Sequence, residues 1–147
     1  MPSIETPYEF KGSIQEVFNG IANYKEYVNY IEGVSTIHLL PPKEPQSTAQ
    51  VRYDINLIKK FYYVLNMFEE KYCKISWTMT DSNLMKKNNG CWIFSEKGKN
   101  KTHAVYRLDV EFSGFIPSSL TAKLAEASLP RMFLGMQTLI DRTRQSS

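Results

Sequence analysis

The sequence has little with which to hold a metal or run thiol chemistry: two cysteines, Cys73 and Cys91, and two histidines, His38 and His103. Neither histidine has a ligand-type neighbour at metal spacing, and a zinc site needs three or four donors. No metal is expected, and both histidines read as surface or strand-end residues. The cysteines lack Cys-x-x-Cys spacing. A hairpin through Asp81 to Lys87 would set Cys91 opposite Trp77 rather than Cys73. That register argues against a disulfide and leaves both cysteines as small buried hydrophobes.

Other signatures are missing as well. The chain has no Gly-x-Ser-x-Gly elbow, no His-Glu-x-x-His, no phosphate-binding glycine loop and no dinucleotide-binding glycine pattern. No catalytic residue and no cofactor are therefore assigned. No apolar run is long enough to cross a bilayer, and Met1-Pro2-Ser3-Ile4-Glu5 does not open a signal segment. A cytoplasmic protein is the expectation. The net charge is only +3, and Lys59-Lys60, Lys86-Lys87 and the lysines from Lys97 to Lys101 sit near strand ends and turns. They read as solvated surface, not as a nucleic-acid footprint.

What the chain does have is apolar and aromatic surface: 42% hydrophobic and 13% aromatic over 147 residues. That excludes a disordered chain and suits one domain, 1–147, with a substantial core. Ile4 to Lys11 reads as a strand carrying Ile4, Tyr8 and Phe10. Ser13 with Glu16 makes a capping box, and Ile14, Val17, Phe18 and Ile21 follow at helical spacing, with Gly20 a weak point near the helix end. Asn23 with Glu26 predicts a second capped helix whose apolar face is Tyr24, Tyr27, Val28 and Ile31, ended by Gly33. Val34 to Leu40 is a strand stopped by Pro41-Pro42, and Pro45 to Thr48 is turn material.

Alternation then takes over. Val51, Tyr53, Ile55 and Leu57 alternate with Arg52, Asp54 and Asn56. Phe61, Tyr63, Leu65 and Met67 interleave with Tyr62, Val64 and Phe68, as in a strand covered on both faces. Cys73, Ile75, Trp77 and Met79 alternate with polar residues. After Gly90-Cys91-Trp92-Ile93-Phe94 and a turn at Lys97 to Asn100, Ala104, Tyr106, Leu108, Val110 and Phe112 alternate with His103, Arg107, Asp109 and Glu111. The charged set, with Arg52 and Asp54, is expected to form cross-strand ion pairs on a wet face. From Pro117 to Arg144 the pattern is helical, with Leu129, Met132, Phe133, Met136 and Ile140 on one face. Pro130 predicts a kink or break near Glu126 to Leu129.

This order resembles the START-like superfamily of helix-grip proteins, in its polyketide cyclase and coenzyme Q-binding branch. The likeness rests on Ala22 to Val34 (the branch's Tyr…Gly-Val segment), on Gly90-x-Trp92-x-Phe94, on Lys101-Thr102 through Tyr106, and on Ile116-Pro117 and Ser128-Leu129-Pro130. Val28 and Glu32 stand where that segment usually carries prolines, and Asn23 where it has Asp. The resemblance implies an α+β helix-grip fold: a curved antiparallel β-sheet wrapped around a long C-terminal helix, with two short helices after the first strand. It also implies a cavity between sheet and helix for a lipid, quinone, sterol or polyketide.

The residues placed on its wall are Tyr53, Ile55, Tyr63, Leu65, Trp77, Trp92, Phe94, Tyr106, Leu108, Phe133 and Met136. Tyr and Trp bring an apolar body with one hydrogen-bonding tip, which suits a mostly apolar pocket. Such tips equally serve a filled core, tied to backbone or water, and the residues alone leave both readings open. Binding or transport of a hydrophobic small molecule is the expected function, without membrane insertion beyond transient contact. A cyclase or aromatase-like enzyme and a ligand-free protein-interaction module are the alternatives.

Overall fold

The computed structural model describes residues 3–31, 33–56, 60–113 and 118–145; the side chains of residues 3, 118–128 and 144–145 lie outside that description. Seven strands form one sheet in the order β1-β7-β6-β5-β4-β3-β2, and every neighbouring pair is antiparallel. The strands are β1 (Ser3–Lys11), β2 (Val34–Leu40), β3 (Ala49–Asn56), β4 (Lys60–Glu70), β5 (Lys74–Ser82), β6 (Met85–Gly98) and β7 (Lys101–Phe112). The helices are α1 (Ile14–Ile21), α2 (Tyr27–Tyr30) and α3 (Ser118–Gln145). This is the helix-grip arrangement expected from the sequence, and the sheet is open, with β1 and β2 as its edges.

The first helix starts where the capping box places it. Ser13 N–H donates to Glu16 Oε1 at 2.8 Å and Glu16 N–H donates to Ser13 Oγ at 3.2 Å. That satisfies two otherwise orphaned donors. Gly12, at φ 131°, makes the preceding turn in a conformation that only glycine adopts without strain. The second capped helix is not as expected. Asn23 makes no side-chain capping bond; Tyr24–Glu26 is a 3-10 turn, and the α-helix begins only at Tyr27 and lasts four residues. Val28 is 39% exposed and not part of the inner face, while Tyr24, Tyr27 and Ile31 pack on the core. Four residues are one turn, so tertiary contacts rather than helix propensity hold this segment.

The α3 helix runs unbroken through Pro130, contrary to the expected interruption. Leu129, Phe133, Met136 and Ile140 are buried as the spacing predicted, and Leu139, 1% exposed, joins them. Two glycines let this helix approach its neighbours. A Cβ on Gly20 would lie 2.7 Å from Ile140 Cγ1, and one on Gly135 would overlap the Tyr30 carbonyl oxygen. Gly20 is thus a contact point between α1 and α3, not merely a weak position.

The β5–β6 register differs by one residue from the expected hairpin. Cys91 pairs with Ser76, and Trp77 pairs with Gly90. One step of register exchanges the two faces of a strand. Cys91 therefore lies on the outer face, half-buried, and Cys73 is exposed at the β4–β5 turn; both are free thiols. Neither is the buried hydrophobe expected. The middle of β4 is covered on both faces as predicted, with Val64, Leu65, Asn66 and Met67 all buried. Leu57, Ile116 and Pro117 lie outside the described residues.

The wet face carries ion pairs: Arg107–Glu5 at 3.2 Å and Lys87–Asp109 at 2.6 Å run between strands, while Arg52–Asp54 at 3.1 Å lies along β3. A hydrogen bond from Thr36, helped by Arg52, holds the Asp54 carboxyl below the usual carboxylate range. His38 is a surface residue 3.7 Å from Asp54. No group of three or more potential metal ligands occurs among the described residues. No helix among the described residues is long and apolar enough to cross a membrane.

Candidate functional site

Strand register decides which side chains share the concave face. Val51 pairs with Leu65, Tyr53 with Tyr63 and Ile55 with Phe61 across β3 and β4. Met67 pairs with Trp77 across β4 and β5, and Trp92 pairs with Tyr106 across β6 and β7. Side chains of directly paired residues project to the same side. The nine strand residues assigned to the wall therefore lie on one face, and Phe133 and Met136 of α3 pack in the same cluster.

That face is not uniform. One end is sealed: Phe10, Val17, Ile21, Ala104 and Ile140 are 0% exposed, and Phe18 and Ile75 are 1%. Phe94 stands there, edge-on to Phe18 with ring centres 6.0 Å apart and stacked on Trp92 at 6.2 Å. At the other end the inner-face residues Phe61, Tyr63, Met79, Leu108 and Phe112 are only half-buried. Phe61 and Phe112, from strands separated by β5 and β6, meet edge-on at 6.0 Å, so the sheet is strongly curled here. Phe133 stacks on Tyr8 at 4.5 Å and meets Trp92 and Tyr106 edge-on at 5.8 and 6.1 Å. It sits between the sealed end and the half-buried one.

The polar tips divide into two groups. Trp77 Nε1 donates to Asn88 Oδ1 at 3.1 Å, so this tip is held within the core. Tyr24 donates to Glu69 Oε2 at 2.7 Å, and Tyr27 donates to the Ile21 carbonyl oxygen. These bonds tie the 3-10 turn to β4 and α2 to the end of α1. The hydroxyls of Tyr53, Tyr63 and Tyr106, by contrast, have no hydrogen-bond partner among the described residues. The sealed side-chain polar atoms without a partner belong to Asn66 and Asp109, and these three hydroxyls are not among them.

Tyr53 and Tyr63 stack at 5.1 Å, and Tyr27 lies 6.1 Å from Tyr53. Sequence reasoning placed Tyr27 on a helix face without assigning it to the site, and it missed Asn88 and Glu69. Asn88 could have been found by extending the alternation of Gly90, Trp92 and Phe94 backward by two.

Burial is the first cause that raises the pKa of Tyr24, Tyr27, Tyr53, Tyr63 and Tyr106, and mutual repulsion among most of these phenols adds to it. Unfolded tyrosines release their protons near pH 10, whereas these five retain theirs in the fold. Their stabilising contribution is complete below about pH 10 and is lost as pH rises above it. Absorbance at 295 nm should show these phenols ionising only in step with loss of the far-ultraviolet circular dichroism signal. Their ionisation near pH 10 with the fold intact would contradict their burial.

Two surface depressions are lined by described residues. One, about 560 Å³, lies over the outer face beside Glu5, Lys74, Cys91 and Arg107. Its charged rim does not suit an apolar ligand. The other, about 360 Å³, lies where Ile55 and Phe61 reach the β3–β4 end beside Asp54, Lys60 and Tyr62. It adjoins the half-buried end of the concave face.

No protein-family model and no curated protein matches the chain in sequence. Solved structures do match. A START superfamily protein from Mycobacterium smegmatis superposes with a TM-score of 0.83 over 99% of both chains at 15% identity. A protein from Thermus thermophilus gives 0.78 over 99% of both chains at 15% identity. The Zhui aromatase/cyclase from Streptomyces sp. R1128 gives 0.76 at 12% identity, covering 97% of this chain and 93% of its own. At these identities the likeness concerns the fold, and with the order and register described above it establishes that this chain adopts the START-like helix-grip fold.

Proposed function

We propose that this protein binds a hydrophobic small molecule between the concave face of the sheet and α3, at the end where Tyr53, Tyr63, Tyr106 and Leu108 converge. The observation that carries this reading is the pairing of half-buried apolar walls with three inward phenols, Tyr53 and Tyr106 buried and Tyr63 half-buried, whose hydroxyls lack partners among the described residues. Buried tyrosine hydroxyls ordinarily find a partner. A few polar tips in an apolar recess is the composition of a small-molecule site. The remaining wall would be Ile55, Leu65, Trp77, Trp92, Phe94, Phe133 and Met136. Access would pass the short α2 segment, held by tertiary contacts alone, and the facing β3–β4 end. The protein would act as a cytoplasmic carrier or sensor.

Removing roughly 300 Å² of apolar ligand surface from water is worth about 7.5 kcal/mol at ~25 cal/mol per Å², close to the roughly 8 kcal/mol of a micromolar complex. Purified protein should bind a fluorescent fatty-acid or polyaromatic probe saturably in the micromolar range or tighter. Leu108→Trp, which adds bulk on the wall, should weaken that binding at least about tenfold without unfolding the protein. Folded protein that binds no member of such a panel would refute the proposal.

The likeness to an aromatase/cyclase keeps a catalytic reading as the alternative. Among the described residues, the one carboxylate on the inner face near the phenols is Glu69, and it already accepts from Tyr24. Cyclisation of a poly-β-keto substrate, lost in Tyr63→Phe or Tyr106→Phe, would decide for that reading.

A further inference from the structure

We infer that two copies of this chain associate edge to edge through β2, in an antiparallel pairing that joins their sheets into one. The association does not depend on the ligand site proposed above. A free strand edge offers unpaired N–H and C=O groups to another strand, and proteins blunt such edges with proline, charge, bulges or a covering group. The β1 edge has three of these devices. Pro7, in mid-strand, has no N–H to offer. Gln137 of α3 covers the strand's end: Lys11 N–H donates to Gln137 Oε1 at 2.8 Å, and Gln137 Nε2 donates to the Lys11 carbonyl oxygen at 3.0 Å. Glu5 and Glu9 add charge, and antiparallel pairing of β1 with itself about Pro7 would set one against the other.

The β2 edge keeps only one such device, an irregularity between Val34 and Thr36. Residues 36–40 continue as regular strand, and the whole of β2 holds no proline, carboxylate, lysine or arginine. Thr36 turns its hydroxyl to Asp54, and among the described residues no side chain hydrogen-bonds the backbone of 36–40. The flanks are apolar. Val28, Leu39 and Leu40, at 39%, 45% and 38% exposure, are three of the four exposed large hydrophobic residues described. Leu39 shares the concave face with its partner Val51, and Leu40 shares the outer face with Gln50. Val28 belongs to α2, which packs against β2.

A second copy suits this edge because the edge is complementary to itself. Antiparallel pairing along 36–40 sets only Thr, Ile, His and Leu side chains opposite one another. No carboxylates, lysines or arginines meet, and Leu39 and Leu40 of each copy are covered by the other. The joined sheet then ends on the blunted β1 at both sides. The pairing is two-fold and closed, so assembly stops at two chains. A contact along 36–40 is short, which places the dimer in the weak, concentration-dependent class below ~1,200 Å² of buried surface.

Sedimentation equilibrium of the wild-type chain from about 5 to 300 μM spans the range of such an association. The weight-average mass is expected to rise with concentration from one chain toward two. A Leu39→Lys, Leu40→Lys double variant sets like charges across the pairing and should weaken association at least about tenfold. Leu134→Lys, at the remaining exposed large hydrophobic residue, on α3, should leave it unchanged. Hydrogen exchange of the wild type supplies a readout that needs no variant to fold: amides of 36–40 should gain protection as concentration rises, while those of β1 do not. A monomer at every concentration, growth beyond two chains, association lost in Leu134→Lys but kept in the double variant, or a dimer whose β2 amides exchange as in the monomer would each overturn the inference.

Discussion

Gly90→Ala is expected to destabilise the protein by about 3 kcal/mol or more, a fall in Tm of roughly 6–12 °C, whereas Gly98→Ala should leave Tm nearly unchanged. The two glycines lie on the same strand, β6. A Cβ at Gly90 would overlap the Arg107 carbonyl oxygen and come within 2.7 Å of Trp77 Cζ2. The carbonyl belongs to the neighbouring strand, and Trp77 is fixed by its bond to Asn88, so neither yields cheaply. The opposing gain, the smaller conformational entropy of alanine in the unfolded chain, is only about 0.4–1 kcal/mol. At Gly98 nothing lies within 4 Å. Thermal melts of the two variants beside wild type check the prediction, and equal Tm values would show that the β6–β7 strands and Trp77 are not packed as described.

Phe133→Ala is expected to cost about 3–5 kcal/mol, the range for deleting a buried aromatic ring. Phe133 is 4% exposed, and its ring meets those of Tyr8, Trp92 and Tyr106, gathering β1, β6 and β7 against α3. Against a total stability of ~5–15 kcal/mol this is a large fraction. Leu134→Ala, next in the same helix but 64% exposed, should change stability by less than about 0.5 kcal/mol. Urea denaturation of both variants provides the comparison. A small loss at Phe133 would mean that α3 does not clasp the sheet through this ring.

Period-2 alternation and helical spacing made most of the architecture legible. Tyr53, Tyr63 and Tyr106 share a face because each lies an even number of residues from its apolar strand neighbours, and that was visible in the sequence alone. The Ser13–Glu16 box was legible because both partners are local. What escaped was non-local. The β5–β6 register turned on whether the hairpin centred one half-residue earlier, and irregular registers between Val64 and Leu65 and between Met85 and Lys87 leave no trace in an alternation pattern. That half-step moved Cys91 to the outer face.

Gly20 and Gly135 are spacers against residues 120 and 105 positions away in sequence, which a window of local sequence does not reveal. Asn23 followed by Glu26 imitates a helix start, but a four-residue helix is decided by Tyr24, Tyr27 and Ile31 packing on the core. Glu69 escaped because its role depends on a tyrosine 45 residues earlier in the chain.

Everything proposed for function depends on open space beside Tyr53, Tyr63, Tyr106 and Phe133. Xenon enters apolar voids and is excluded from close-packed interiors. Crystals pressurised with xenon are expected to show an ordered xenon site, or a displaced apolar molecule, among these four side chains. Close van der Waals packing of sheet against α3 there, with no xenon bound, would contradict the account.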